Sequence, residues 1–184
     1  MITTGPAVPA PAPARGRGGV WRALLLVVVV AFAAFWIWAL FFASKESINK
    51  IGDRAWAQRA EGVCAEAELR REALADLRRV DEAEPGMVAE RGDLVDRATD
   101  VVEAMLDDVV AVSPTDDKGL ALVPLWEQDY RTYLADRREF AGVLRTGNNV
   151  AFTETAVDGI PISDKLERFA GDNEMPACAP PIDL

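Results

Sequence analysis

Histidine is absent from the 184 residues of this chain. Its absence excludes Ser-His-Asp and Cys-His catalytic arrangements and every metal site with an imidazole ligand. The sequence also contains no P-loop, no dinucleotide-binding G-x-G-x-x-G and no EF-hand calcium loop. We therefore expect a protein that is not an enzyme and that has no catalytic residue, bound metal or cofactor.

Carboxylates are the remaining candidates for metal or acid-base chemistry, and two adjacent pairs are present. Asp107 lies beside Asp108, and Asp116 lies beside Asp117. Neighbouring residues on a helix do not face each other, so neither pair is placed to share a ligand or a proton. Both pairs are predicted to be solvated acidic surface.

Basic residues are scarce beyond the N-terminal quarter of the chain. Three of the 20 lysines and arginines precede residue 44, which leaves 17 against 30 aspartates and glutamates. This excess of negative charge repels phosphate, so nucleic acid is not expected as a partner. It also disfavours a flat position on anionic lipid and favours solubility or a basic partner surface.

Long hydrophobic runs are confined to one place, "ALLLVVVVAFAAFWIWALFFA", which has 21 residues and no charge. A helix of that length spans the roughly 30 Å hydrocarbon layer of a bilayer. The run is longer than a secretory h-region, and no small-x-small cleavage site follows it, since Ala43 is preceded by Phe41 at the required spacing. Residues 20–44 are therefore predicted to be an uncleaved signal anchor in contact with membrane lipid.

The charges that flank this run predict its orientation. Arg15, Arg17 and Arg22 precede it without an acidic residue among them, so the positive-inside rule places the N-terminus in the cytoplasm. Residues 1–19, rich in proline and glycine, are expected to be a disordered cytoplasmic tail. Residues 45–184 then form an extracytoplasmic domain outside the cell membrane.

Only two cysteines are present, Cys64 and Cys178. Both fall on the external side of the predicted membrane, where thiols are normally oxidised, so they are predicted to form a disulfide that staples the C-terminal tail. A redox-active pair usually has the spacing C-x-x-C, and a metal site needs more ligands than this chain offers. A structural disulfide is therefore favoured over both alternatives.

Apolar periodicity between the cysteines predicts a mainly α fold, an antiparallel bundle of three long helices with a short fourth. The first helix follows the membrane span, either continuously or after a break capped by Ser47. A turn at Pro85 and Gly86 precedes the second helix, "RGDLVDRATDVVEAMLDDVVAV". The third is expected to start at Pro124 and to stop at Gly147.

The signal is weaker after this third helix. Alternation in "VAFTETAVDGIPIS" predicts a short extended segment with a turn at Asp158 and Gly159. Ser163 is then expected to cap a brief helix that ends near Ala170.

One aromatic and arginine set on the third helix is the candidate partner or ligand face. Its members are Trp126, Tyr130, Arg131, Tyr133, Arg137 and Arg138. Such a set can bind an anionic ligand or a partner, but more often it is helix core with flanking ion pairs, and we favour the second interpretation.

Three stretches behind the single span carry a resemblance: "YRTYLADRREFAGVLRTG", "FTET" and "MPACAPP". Together they resemble a group of uncharacterised single-span membrane proteins of high-GC Gram-positive bacteria. The resemblance covers most of the outer domain and implies a bacterial cell membrane and this topology. It implies no catalytic residue.

These observations favour a non-catalytic accessory or scaffolding subunit of a bacterial envelope or respiratory membrane complex, with other membrane proteins as partners. The alternative is an extracytoplasmic module that binds or senses a small ligand. A fitted cavity lined by Arg131, Arg137 or Arg138 would favour the binding module, and an apolar outer patch would favour the accessory subunit.

Overall fold

The computed structural model describes residues 17–42, 47–75 and 85–181. The chain divides into two compact units, Met1–Glu46 and Ser47–Leu184. The fold is mainly α, as the apolar periodicity predicts.

The described part of the first unit, residues 17–42, consists mainly of helix α1 (Arg17–Phe41). Within it, Gly19–Phe41 is long and apolar enough to cross a membrane. Its large apolar side chains are exposed on all sides of the helix. The predicted anchor therefore corresponds to a single apolar helix, whereas Arg15, most of the predicted tail and residues 43–46 lie outside the described residues.

The second unit contains the remaining elements. They are α2 (Arg54–Glu72), α3 (Pro85–Val110), α4 (Asp117–Arg145), β1 (Ala156–Val157), β2 (Ile160–Pro161), α5 (Ile162–Asp172) and a short 3-10 helix, Pro176–Cys178. Helix α3 packs against both α2 and α4, and α5 packs against α4. The 3-10 helix contacts α2 and α5, so the C-terminal tail lies on the bundle. This arrangement is the predicted helical bundle with a tail held by a disulfide.

Side chains of α2 donate hydrogen bonds to carbonyl oxygens at the C-terminal end of α3. The guanidinium of Arg59 donates hydrogen bonds to the carbonyl oxygens of Asp108 and Val109, and Trp56 Nε1 donates to the carbonyl oxygen of Val112 at 2.6 Å. The last carbonyls of a helix have no partner within it, and a cation there also interacts favourably with the helix dipole. These bonds fix the first turns of α2 antiparallel to the last turn of α3.

The break between α1 and α2 settles the alternative that the sequence leaves open. Residues 47–53 are not helical, and α2 begins at Arg54 with Asp53 as its N-cap. The Asp53 carboxylate accepts the Trp56 N–H at 2.9 Å, which satisfies one of the free donors at the helix start. The prediction that Ser47 caps this helix is wrong, because Asp53 occupies the cap position.

Two prolines lie in different positions from those predicted. Pro85 is the first residue of α3 rather than part of a turn, a position where the missing N–H costs nothing. Helix α4 begins at Asp117, so Pro124 lies inside it. The helix tolerates this proline on its solvent face: Leu120, whose carbonyl loses a partner, is 50% exposed.

The segment after α4 confirms the predicted turns but not the predicted cap. Gly147 follows the helix with φ 85°, and Asp158 and Gly159 form the two-residue turn of the β1–β2 hairpin with φ 55° and 78°. Both turn residues occupy the left-handed region that a type I′ turn requires. Ser163 lies inside α5, and its N–H and hydroxyl donate to the Glu154 carboxylate at 2.8 and 2.6 Å instead of capping the helix.

The backbones of helices α3 and α4 approach each other closely at Gly92. A Cβ atom at this position would lie 2.7 Å from the Ala141 carbonyl oxygen and 3.1 Å from the Arg145 backbone nitrogen. Backbone atoms in a packed helix pair cannot move aside cheaply, so only glycine fits here.

We expect Gly92→Ala to lower the free energy of unfolding by about 1–3 kcal/mol, although alanine is the better helix former. Gly142→Ala is the matched control, because a Cβ at this helical glycine meets nothing within 4 Å. The free energy of unfolding of that variant should rise by about 0.5–1 kcal/mol, because alanine has the higher helix propensity. Urea unfolding of the full chain in mild detergent measures both, and shifts of the same sign would contradict the close approach.

Candidate functional site

The predicted aromatic and arginine face is not a single surface. Trp126, Tyr130, Tyr133 and Arg137 are each at most 3% exposed and belong to the core. Arg131 and Arg138 lie outside it, with side chains 43% and 37% exposed. Four of the six residues are therefore inaccessible to a ligand or partner.

The buried aromatic side chains hold the C-terminal tail. The Tyr133 hydroxyl donates to the Pro181 carbonyl oxygen at 2.8 Å, and the Tyr130 hydroxyl donates to that of Ala179 at 3.3 Å. Trp126 stacks on Phe169 with ring centres 5.5 Å apart, which joins α4 to α5. The role of these rings is thus to bind segments of the same chain.

Arg137 is a fully buried charged residue. Its Nε donates to Thr99 Oγ1 at 3.0 Å, and its guanidinium carbon lies 5.8 Å from the centre of the Tyr133 ring. A buried guanidinium requires such partners, because removing an unpaired charge from water is costly. It links α3 and α4 inside the core.

The exposed arginines of α4 form an ion-pair ladder with acidic residues of α3. Arg131, Arg138 and Arg145 are seven residues apart, so they lie on one stripe of the helix. Their partners on α3 are, in the antiparallel order, Asp107 for Arg131, Asp96, Asp100 and Glu103 for Arg138, and Asp93 and Asp96 for Arg145. Arg131 also pairs with Glu127 on its own helix.

The ladder changes the pKa values of its members. The hydrogen bond from Arg145 lowers the pKa of Asp96, against a smaller opposing effect of burial, and the charges of Arg145 and Arg138 add to the decrease. The hydrogen bonds that Arg131 donates to Asp107 and then to Glu127 raise its pKa, and those that Arg138 donates to Asp100 and Glu103 raise the pKa of Arg138. The three arginines therefore neutralise part of the predicted acidic outer face, which keeps an excess of negative charge.

The outer surface of α4 carries a shallow depression of about 560 Å³. It is lined by Pro124, Glu127, Gln128, Arg131, Thr132 and Ala135. All six belong to one helix, and the lining arginine already pairs with Asp107 and Glu127. The depression does not enclose a ligand or offer it an uncompensated charge.

The two cysteines form the predicted disulfide. Cys64 in α2 and Cys178 in the 3-10 helix are joined across 114 residues, and both are fully buried. A second contact beside it, from the Ala177 N–H to the Glu61 carboxylate at 3.0 Å, also attaches the tail to α2. The disulfide is therefore part of a packed junction and is shielded from solvent.

The polar cluster that sequence reasoning missed surrounds residues 47–53, which we term the entry segment. The Ser47 hydroxyl donates to the Asp172 carboxylate at 2.5 Å, and Asn49 Nδ2 donates to the same carboxylate at 3.2 Å. Lys118 Nζ donates to the Ser47 carbonyl oxygen at 3.2 Å. The segment is thus held by the end of α5 and the start of α4.

Asn173 is the centre of this cluster and is fully buried. Its Oδ1 accepts the Ile51 N–H at 2.8 Å, and its Nδ2 donates to the carbonyl oxygens of Asn49 and Phe169 at 3.0 and 2.9 Å. An amide side chain offers both a donor and an acceptor, so it substitutes for a missing strand partner. No periodic signal in the sequence distinguishes this asparagine, and only its position after α5 makes it available.

Glu174 binds basic residues in and next to the entry segment. It is a non-glycine residue in the left-handed region, with φ 60°, directly after the end of α5. Its carboxylate pairs with Lys50 and with Arg54. A glycine would adopt this backbone conformation at lower cost, but it would provide no carboxylate for the two basic residues.

Asp53 and Asp116 cap two helices and brace each other. Asp53 caps α2 and accepts the N–H and hydroxyl of Thr115, while Asp116 caps α4 and accepts the N–H groups of Gly52 and Asp53. The Trp56 N–H and then the Thr115 groups lower the pKa of Asp53. Burial raises the pKa of Asp116, but bonds from the backbone, first from Gly52, outweigh it and the net pKa is lowered. Asp116 therefore has a capping role in addition to its partial exposure to solvent, which the prediction of solvated acidic surface did not include.

These lowered pKa values predict a loss of stability in acid. The carboxylates hold their protons less tightly when folded, so their contribution is complete above the ordinary pKa of 3.8 and is lost as the pH falls through the lower folded values. We expect the free energy of unfolding of Asp116→Asn to decrease less than that of the unmodified chain as the pH falls from about pH 5 to about pH 3. Urea midpoints at several pH values test this, and equal slopes would contradict it.

The described residues contain no group of three or more histidine, cysteine, aspartate or glutamate side chains placed to hold a metal ion. Of the topology residues, Arg17 and Arg22 lie in α1, and Arg15 lies outside the described residues. No family model, curated protein or solved structure matches this chain.

Proposed function

We propose that this protein is a non-catalytic, single-pass membrane protein, and that it acts as an accessory or scaffolding subunit of a bacterial envelope or respiratory membrane complex. Helix α1 anchors it with the N-terminus in the cytoplasm, and the Ser47–Leu184 unit lies outside. The observation that carries the proposal is the fastening of the entry segment to α4 and α5 by Asp116, Asp172 and Asn173.

A fastened entry segment supports a positioning role. Because Asp116, Asp172 and Asn173 hold this segment, the Ser47–Leu184 unit begins in a fixed conformation, which suits a subunit that presents a set surface to a partner. The paired state of the exposed arginines Arg131, Arg138 and Arg145 favours this role over anion binding.

The proposed topology is tested with epitopes at both ends of the chain in wall-stripped cells. External protease should remove the C-terminal epitope and spare the N-terminal one. Replacing Arg15, Arg17 and Arg22 by glutamate should invert or scramble the orientation, because the positive-inside signal is then lost. Protection of both epitopes in intact cells would contradict an external bundle.

The accessory role is tested by mild-detergent extraction of the full chain, followed by sizing and mass spectrometry. We expect a particle larger than a monomer or homodimer that contains a reproducible membrane protein partner. Arg22→Lys is the matched control: it changes a residue of α1 but keeps the positive charge, so the size of the particle should not change. If the chain migrates without a partner, as a monomer or homodimer, the accessory role is refuted. The alternative function, binding of a small anion at Arg131, would then be favoured.

A further inference from the structure

Three residues after the disulfide, Ala179–Pro181, lie on the hydroxyl groups of two buried tyrosines, and we term them the cover segment. The Tyr130 hydroxyl donates to the Ala179 carbonyl oxygen at 3.3 Å, and the Tyr133 hydroxyl donates to the Pro181 carbonyl oxygen at 2.8 Å. Pro181 is buried, and the other two residues are half-buried. Both bonds go to main-chain carbonyl oxygens, so the tyrosines recognise the backbone of the segment.

The backbone of the cover segment suits a site that offers donors. Ala179 has φ −65° and ψ 152°, close to the polyproline II conformation. The peptide units that precede Pro180 and Pro181 have a carbonyl oxygen but no N–H. Hydroxyl donors therefore satisfy such units without any acceptor, whereas a segment without prolines would also need partners for its N–H groups.

Aromatic rings surround the two donors. The rings of Tyr130 and Tyr133 are nearly perpendicular, with centres 6.3 Å apart, and Phe152 is nearly perpendicular to Tyr133, with centres 6.0 Å apart. Grooves lined by aromatic side chains bind proline-rich segments, because the polyproline II helix is formed beforehand and loses little entropy on binding. The site under the cover segment has this chemistry.

The cover segment is fastened separately from the residues before it. The disulfide holds Cys178, the residue that precedes the segment. Further upstream, Met175 is fully buried and the Ala177 N–H binds the Glu61 carboxylate at 3.0 Å. The segment can therefore leave the two tyrosine hydroxyls while the disulfide and the helices stay in place. Its departure frees both donors, which are inaccessible while it is bound.

We propose that the site formed by Tyr130 and Tyr133 is a receptor for a proline-rich, extended segment of a partner protein, and that the cover segment occupies it until such a partner displaces it. The bound cover segment shows which chemistry the site accepts. A second copy of this chain would bring only the same three residues, and the copy already attached has the higher effective concentration. A longer proline-rich segment adds contacts that the cover segment lacks. The inference goes beyond the accessory role and does not require the membrane anchor.

The test measures the binding of fluorescein-labelled octaproline to the purified full chain in mild detergent, by fluorescence anisotropy. Two variants open the site: a chain that stops after Cys178, and the full-length Pro180→Gly/Pro181→Gly chain, whose cover segment keeps its carbonyl oxygens but loses its preformed conformation. We expect both variants to bind octaproline at least about tenfold more tightly than the unmodified chain, because the cover segment no longer competes. A labelled Gly-Ser peptide of the same length is the control probe and should bind to none of them.

The role of the hydroxyl donors is tested in the chain with both glycine substitutions. Adding Tyr133→Phe should weaken octaproline binding severalfold, because the ring remains but the donor is lost. Adding Thr132→Ala is the matched control. Thr132 is the adjacent residue of α4, but it lines the outer depression and its hydroxyl donates to the Gln128 carbonyl oxygen, so the affinity should not change. Circular dichroism and non-reducing electrophoresis should show that all variants keep their helices and the disulfide.

Several results would overturn the proposal. If octaproline does not bind to the opened variants, the site holds only its own segment; should the shortened chain lose its helices, the glycine variant alone decides. Equal binding of the Gly-Ser peptide, or unchanged affinity after Tyr133→Phe, would place the peptide elsewhere on the protein. Dimerisation that rises with concentration in the full chain and is lost in the shortened chain would assign the site to a second copy. None of these results bears on the accessory role, which the co-purification experiment tests separately.

Discussion

Replacing Cys64 and Cys178 together by alanine is expected to lower the free energy of unfolding of the Ser47–Leu184 unit by about 4 kcal/mol. A cross-link across 114 residues removes loop-closure entropy from the unfolded chain, and closing a loop of that size contributes about 4–5 kcal/mol when chain entropy alone is considered. Alanine is preferred to serine because both positions are fully buried and a hydroxyl there would be left without solvent.

The folded state should survive this change, because other contacts hold the tail. The Tyr133 hydroxyl still binds the Pro181 carbonyl oxygen, and the Ala177 N–H still binds Glu61. Urea unfolding of the full chain in mild detergent, followed by circular dichroism, measures the loss, and reduction of the unmodified protein should reproduce it. A loss below about 1 kcal/mol would mean that the unfolded chain is already restricted near these residues.

Asn173→Ala is expected to cost about 3 kcal/mol and to release the entry segment. The change leaves the Ile51 N–H and the carbonyl oxygens of Asn49 and Phe169 without their partner in a buried setting. Each unsatisfied buried group costs about 1–3 kcal/mol, and relaxation of the segment towards water limits the sum.

The control for this variant is Asn148→Ala. Asn148 is exposed, and its side chain donates to the Thr146 hydroxyl at 2.9 Å, so its removal should change stability by less than about 0.5 kcal/mol. Hydrogen exchange provides a local measure: the Ile51 amide should exchange much faster in Asn173→Ala and at the original rate in Asn148→Ala. Unchanged protection at Ile51 in both variants would show that Asn173 does not hold the segment.

Hydrophobic patterning alone predicts the elements whose signal is local. The apolar run of α1 needs no neighbour to be recognised, and the stripe of Ala98, Val102, Met105 and Val109 is buried on α3 as its spacing predicts. The Asp158–Gly159 turn follows from the few residues that adopt positive φ. The disulfide follows from the number of cysteines and their predicted compartment.

Helix starts were predicted less well, because several residues compete for each cap. Ser47, Pro124 and Ser163 all carry valid local signals, yet each lies elsewhere in the fold. Asp53 and Asp116 take the cap positions because each also binds the segment that carries the other, an advantage that arises only when the fold brings the starts of α2 and α4 together. The sum of contacts across the bundle therefore overrides single-residue preference.

The sequence by itself determines a single apolar span, a helical unit after it and one possible disulfide, since these depend on composition, periodicity and count. Tertiary structure alone decides what the polar residues do. Arg137 is core while Arg138 is paired at the surface, although they are neighbours in sequence, because a helix turns by about 100° per residue. Asn173 meets the entry segment across more than 120 residues, and a contact between such distant parts of the chain exists only after folding.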